Sequence, residues 1–162
     1  MIRAIAAVDD RLGLATASGI PWSVPADVEH FRSAIASTDV LMGFTTYTEY
    51  AAPMAGRTNY VATRGDGALR EGFVAVADAV AFLSDHGPGD LWVIGGAGLF
   101  AATLPQVEEL FLTRIDGDFH CTVFFPSFEA DFELVDDQPS PSIDGIPAYR
   151  FQIWRPKVPL GH

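Results

Sequence analysis

Apolar and polar positions alternate along the chain with two distinct periods. Ile2–Val8 is a near-continuous apolar run, as expected of a strand buried on both faces. Asp9–Val24 is a long loop containing Gly13, Gly19 and Pro21, and loops of that length in compact domains are commonly functional. Pro25–Ala36 reads as a helix, with Pro25 in the first turn, where its missing N–H costs nothing. Asp27, Phe31 and Ala34 share one face of it, while Glu29, Arg32 and Ser37 face water. Val40–Met42 is a short buried strand ending at Gly43, and Thr45–Ala51 a short helix stopped by Pro53. Asn59–Thr63 and Phe73–Val76 read as strands, and Ala77–Asp85 as a helix ended by His86-Gly87-Pro88-Gly89. Leu91–Ile94 is another buried strand, followed by Gly95-Gly96-Ala97-Gly98 and a helix that stops at Pro105. Leu110–Ile115, Phe132–Val135 and Tyr149–Trp154 complete the strands. The last two predict an antiparallel hairpin with a long Pro/Ser/Gly tip. Strands alternating with helices predict a three-layer α/β fold, a mostly parallel central sheet flanked by helices, in a single domain over 1–162.

Composition supports a folded domain: 162 residues, 49% hydrophobic and 19% charged. The net charge of −11 disfavours nucleic acid and anionic membranes as partners, so an anionic ligand needs a local basic site. No apolar run is long enough to span a membrane, and the first residues turn acidic too quickly for a signal peptide. Cys121 is the only cysteine, which excludes an internal disulfide. His30, His86, His120 and His162 show no ligand spacing, so no metal is expected. A cytoplasmic monomer is the expectation.

Asp27 is the strongest chemical candidate. It shares a helix face with apolar side chains just after a loop carrying Trp22. A carboxylate there is costly to ionise, which suits an acid that holds a proton near neutral pH. The competing reading is a first-turn acid favoured by the helix dipole. Val93-Ile94-Gly95-Gly96 runs from strand to glycines to helix, and Met42-Gly43-Phe44-Thr45-Thr46 has the same character. Two such turns at strand ends could hold a dinucleotide across an open sheet, although Gly95, Gly96 and Gly98 do not make the dinucleotide fingerprint and tight turns or helix caps explain them equally well. Arg57 is a candidate for a carboxylate and Arg64 for a phosphate, each against the alternative of a solvated surface charge.

Together these segments resemble dihydrofolate reductase. The matching residues are Ile5-Ala6-Ala7, Pro21-Trp22 with Pro25-Ala26-Asp27 and Phe31, and Met42-Gly43 with Thr46. Gly56-Arg57, Thr63-Arg64, Val93-Ile94-Gly95-Gly96 and Leu112-Thr113-Arg114-Ile115-Asp116 follow in the family's order over essentially the whole chain. The resemblance implies NADPH-dependent reduction of 7,8-dihydrofolate to tetrahydrofolate, with residues of roughly 38–88 as the adenosine-binding part. It makes Asp27, Trp22 and Thr113 the catalytic set: Asp27 gripping the pterin and supporting protonation at N5, Thr113 bonded to Asp27, Trp22 on a mobile lid. It places Ile5, Ala6, Ala7, Phe31 and Ile94 at the pterin, Val28, Tyr50 and Met54 at the aminobenzoyl part, and Arg57 at the glutamate α-carboxylate. Gly95 and Gly96 would abut the cofactor, Thr46 its ribose and phosphates, and Thr63 with Arg64 its 2′-phosphate end. Ala7, Gly43, Thr45, Ala97, Gly98 and Leu99 complete the cofactor set.

The departures from the family pattern are Phe44 and Gly98, where basic residues are common, Phe100 in place of a tyrosine beside the nicotinamide, and Cys121-Thr122 in the loop that latches the lid. Loss of two cations would weaken NADPH binding or its preference over NADH. A related pterin or riboflavin-pathway pyrimidine reductase, and a non-catalytic ligand-binding paralogue, are the alternatives.

Overall fold

The computed structural model describes residues 1–65, 67–141 and 143–158; His162 lies outside the described residues. The elements in order are β1 (Ile2–Val8), β2 (Gly13–Ala15), α1 (Pro25–Ala34), β3 (Asp39–Gly43), α2 (Phe44–Thr48), β4 (Asn59–Ala62) and β5 (Phe73–Val76). They continue with α3 (Ala79–Ser84), β6 (Leu91–Val93), α4 (Ala97–Thr103), a 3-10 turn (Leu104–Gln106), β7 (Glu109–Ile115), β8 (Val123–Phe124), β9 (Phe132–Pro139) and β10 (Tyr149–Pro156). Eight strands form one sheet in the order β5-β4-β3-β6-β1-β7-β10-β9. Neighbours from β5 to β7 run parallel, and β10 runs antiparallel to both β7 and β9. This is the expected α/β architecture.

Helices cover both faces, which is what a parallel sheet requires. Ala4, Val8, Leu41, Val93, Leu110 and Leu112 meet Leu83 of α3 and Leu99 and Phe100 of α4 on one side. Ile5, Val40, Met42, Val61 and Trp92 meet Phe31 and Ala34 of α1, Ile35 just after it, and Tyr47 of α2 on the other. Truncating one of these fully buried leucines to alanine costs about 2–5 kcal/mol.

The element ends differ from the sequence pattern for local reasons. Helix α1 stops at Ala34, not Ala36: Ile35 turns inward to the core at 3% exposure, and Ser37 adopts a positive φ of 57°. Helix α2 is shorter because Glu49 and Tyr50 donate to Thr46 and Tyr47, tightening the last turn. Helix α3 begins at Ala79 because the Asp78 side chain accepts from Ala81 N at 3.0 Å and so fixes its start. The β9–β10 hairpin extends well past the expected spans. Much of β9 is exposed, so apolar alternation does not mark it. The pairing β2–β8 was not apparent from the pattern, being two short strands in a loop.

Candidate active site

The C-terminal ends of β1, β3, β4 and β6 open into one cleft of about 1680 Å³. An open parallel sheet binds ligands at these ends. One wall is apolar: Ile5, Ala6 and Ala7 from β1, Val28 and Phe31 from α1, and Ile94 just after β6. Asp27 lies on the same wall. Burial pushes its carboxyl above the usual range, while the Thr113 hydroxyl and His30 act in the opposite direction. Thr113 is 1% exposed and pairs in register with Ala7, so it supports Asp27 from behind the cleft surface.

Trp22 does not line the main cleft. It packs edge-on against Phe119 at 5.4 Å and borders a smaller depression of about 510 Å³, in which Ile20, Asp27 and Val28 also take part. Those three residues line both cavities. Val24, just after Trp22, is buried against Ile115 and Tyr149 and pins this end of the loop to the sheet.

Tyr50 lines the cleft, and burial pushes its phenol up, with Glu49 adding to the effect. Met54 and Arg57 are not on the cleft surface. The backbone of Met54 is clamped by the buried Asn59 amide, which accepts from its N at 2.9 Å and donates to its carbonyl at 2.9 Å and to that of Arg57 at 3.3 Å. Arg57 donates from Nη1 to the Ile35 carbonyl at 2.8 Å and from Nε to Ala55 O at 3.3 Å. These bonds orient the guanidinium at the end of α1.

The other end of the cleft is built from two turns. Gly43 N donates to Gly95 O at 2.7 Å and joins them directly. A Cβ on Gly43 would lie 3.5 Å from Gly95 O and from Gly96 N, in ordinary contact with the second turn. Gly95 has a φ of +116°, and the peptide to Gly96 is cis. Thr45, Thr46, Gly96, Ala97, Gly98 and Leu99 line the space beside them, with open room above Gly98. Thr63 and Arg64 line it further out, where the Thr63 hydroxyl accepts from Gly65 N at 3.2 Å. Phe100, 3% exposed, closes the deep end against Phe125. Bare glycine backbone, hydroxyls and one arginine beside open volume suit an extended phosphate-bearing cofactor.

Three features carried no clear sequence signal. Arg70 also lines the cleft: Nη2 donates to Tyr47 O at 2.8 Å and to Tyr50 O, and its guanidinium lies 4.0 Å over the Tyr47 ring. Asp9, 1% exposed, accepts from Arg11 N, Gly13 N and Phe119 N at 2.8–3.0 Å. Burial alone would raise its pKa, but these amides and the Cys121 thiol outweigh it and hold it below the usual range. Thr122 N donates to Ala15 O at 2.9 Å, so β2 and β8 tie the first loop to the Cys121 loop. Among the described residues no cluster of side chains could hold a metal, and no helix is long and apolar enough to cross a membrane.

Comparison with known proteins agrees with this geometry. The family model described as dihydrofolate reductase matches residues 1–155. A dihydrofolate reductase type 3 of Salmonella typhimurium is 36% identical over 113 residues, 67% of this chain and 68% of that protein. The dihydrofolate reductase of Bacillus subtilis (strain 168) is 28% identical over 160 residues, 97% of this chain and 95% of its own length. Among solved structures, dihydrofolate reductase from Enterococcus faecalis complexed with NADP(H) and RAB-propyl superposes with a TM-score of 0.88 at 23% identity, covering 98% of this chain and 97% of that one. The chain belongs to the dihydrofolate reductase family.

Proposed function

We propose that this chain reduces 7,8-dihydrofolate to 5,6,7,8-tetrahydrofolate with NADPH. The observation that carries the reading is Asp27: a carboxyl whose proton affinity is raised by burial, on an apolar wall, in the same cleft as the joined glycine turns. NADPH, when bound, supplies the hydride; the protein's work is to hold two flat rings together, exclude water and manage one proton.

Asp27 accepts hydrogen bonds from the pterin's amino edge and, through its raised proton affinity, supports protonation of the ring nitrogen next to the carbon that receives hydride. Thr113 orients that carboxyl from β7. Ile5, Ala6, Phe31 and Ile94 sandwich the pterin and keep the site dry, with Ala7 between substrate and cofactor. Val28 and Tyr50 border the aminobenzoyl segment, Met54 supports that wall, and Arg57 meets the glutamate carboxylate beyond it. Gly43, Thr45, Thr46 and the Gly95–Leu99 turn bind the nicotinamide half of the cofactor. Thr63 and Arg64 bind the far phosphate, Phe100 backs the nicotinamide, and Trp22 belongs to the lid. The chain works as one unit, residues of roughly 38–88 forming the adenosine-binding part. A monomer suffices because the cleft is built within one chain, and the single cysteine fits a cytoplasmic setting.

Loss of absorbance at the NADPH band on adding dihydrofolate tests the reaction. Turnover that falls sharply in Asp27→Asn is the expected result. Activity on a pyrimidine but not on dihydrofolate would point instead to the related pyrimidine reductases. Repeating the assay with NADH measures the effect of Phe44 and Gly98, since a missing charge-assisted contact costs about 1.5–3 kcal/mol.

A further inference from the structure

One titratable side chain beside Asp27 has no part in the reaction described above. His30 follows Asp27 by three residues on α1, so the two share a side of the helix. Its ring lies on Phe151, with centroids 4.0 Å apart and planes inclined by 16°, and Phe111 continues the stack at 6.3 Å and 20°. Phe151 pairs in register with Thr113, the residue whose hydroxyl meets Asp27. Four side chains therefore form one cluster: Asp27 and His30 from the helix, Thr113 and Phe151 from the sheet.

We propose that His30 is a positioning residue that acts through Asp27, a switchable cation held one helical turn away by the Phe111–Phe151 stack, so that the site's acid titrates as an Asp27–His30 pair. This deepens the role given to Asp27 and rests on that reading. The chemistry of the stack favours it. An aromatic face attracts an imidazolium, and a carboxylate next to it adds a second attraction. Burial opposes both charges: it lowers the pKa of His30 and raises that of Asp27, while each group pulls the other back. Each group therefore senses the other's charge, so neutralising one moves the titration of the other.

Few other charges face the pair. On α1, Glu29 and Arg32 are exposed and border the smaller depression that Asp27 also lines. On β7, Thr113 is neutral, Glu109 shares its face at the far end of the strand and is paired with Arg3 and Arg155, and Arg114 points to the opposite sheet face, where it binds Gln152 and Glu129. On β10, Arg150 also lies across the sheet, paired with Asp137. On β9, Asp136 shares the face of Phe151 through its register with Ile153, and accepts from Gln138. The loop residues packed on Phe151, Trp22 and Val24, carry no charge.

The test has a binding-free and a kinetic arm. Histidine ring protons of the full chain are titrated by NMR, alone and with Asp27→Asn. His30 is expected to release its proton about half a pH unit earlier in the variant. In single-turnover hydride transfer, His30→Gln is expected to move the midpoint of the pH–rate profile up by a similar amount, and His30→Lys to move it down. An unmoved His30 titration in Asp27→Asn overturns the proposal. So do His30→Gln and His30→Lys profiles that shift in the same direction, since a merely structural role cannot depend on the sign of the charge. A coupled NMR titration in a chain that never turns over dihydrofolate upholds the pair and rejects the reductase reading instead.

Discussion

Gly13→Ala adds one methyl group to the loop that borders the cleft, and the structure gives it nowhere to go. The new Cβ would lie 2.4 Å from Cys121 Cβ, 2.7 Å from Cys121 Sγ and 2.8 Å from Asp9 Oδ1. Both neighbours resist moving, because Asp9 is held by three backbone amides and the buried Cys121 is followed by Thr122, whose N–H bonds Ala15 O. The loops must part, and overpacking of this kind costs about 1–3 kcal/mol. Parting them also weakens the Gly13 N to Asp9 bond of 2.8 Å, and a buried carboxylate losing a partner adds about 1–3 kcal/mol. A total near 3 kcal/mol corresponds to a fall in Tm of roughly 6–12 °C for a chain of this size. Urea unfolding with a constant m-value measures it. Cys121→Gly removes both of the closest atoms, so the double variant is expected to be less destabilised than the sum of the singles, by about 1–2 kcal/mol. Strict additivity, or a Tm within about 2 °C of the parent for Gly13→Ala, would refute the steric account.

Asp27→Asn combines a functional loss with a stability gain. Burial raises the folded pKa of Asp27 above its unfolded value. The resulting stabilisation is complete below the unfolded carboxylate range and is lost as pH rises through the folded pKa. The amide therefore stabilises the chain at neutral pH by about 0.5–2 kcal/mol, with no gain in strong acid, while turnover drops most at neutral and higher pH. A Tm difference that does not change with pH would remove the desolvation argument. Thr113→Val deletes the hydroxyl that eases ionisation of Asp27, so the midpoint of the pH–rate profile should rise; a fall contradicts the geometry. Arg57→Ala should raise KM for dihydrofolate far more than it lowers kcat, and the effect should vanish on a substrate without the glutamate tail.

The strands of the parallel sheet were legible because each is a short apolar run, as in Ile2–Val8, which ends at Asp9-Asp10, and Leu91–Ile94, which ends at Gly95-Gly96. Both glycine turns followed, since they sit at the ends of those runs, whereas the cleft's apolar wall was expected only through the family resemblance. Helical spacing put Asp27 among apolar side chains but left a first-turn acid favoured by the helix dipole open; the resemblance over the whole chain singled it out. What escaped the pattern depends on contacts between distant segments. Glycine at position 13 has no side chain to display, and its need for space comes from Cys121, far away in sequence. Arg70 looks like any exposed cation until Tyr47 is seen beneath it. The first half of β9 and its antiparallel pairing with β10 were legible, but the strand's continuation to Pro139 hides because those residues are mostly solvated. Trp22 was placed by order along the chain; only coordinates show that it packs on Phe119 and borders the smaller depression.

Asn59 has a consequence for how this family member tolerates change. Its carboxamide closes a ring with the main chain of Met54 and caps Arg57, standing in for the ladder bonds that a further strand would have made. The segment between them is thereby indexed to β4, and its geometry is inherited from the sheet rather than from its own composition. Residues 51 and 52, exposed and outside that ring, can absorb an added residue, whereas a residue added between 54 and 59 would rotate the arginine out of alignment with the end of α1.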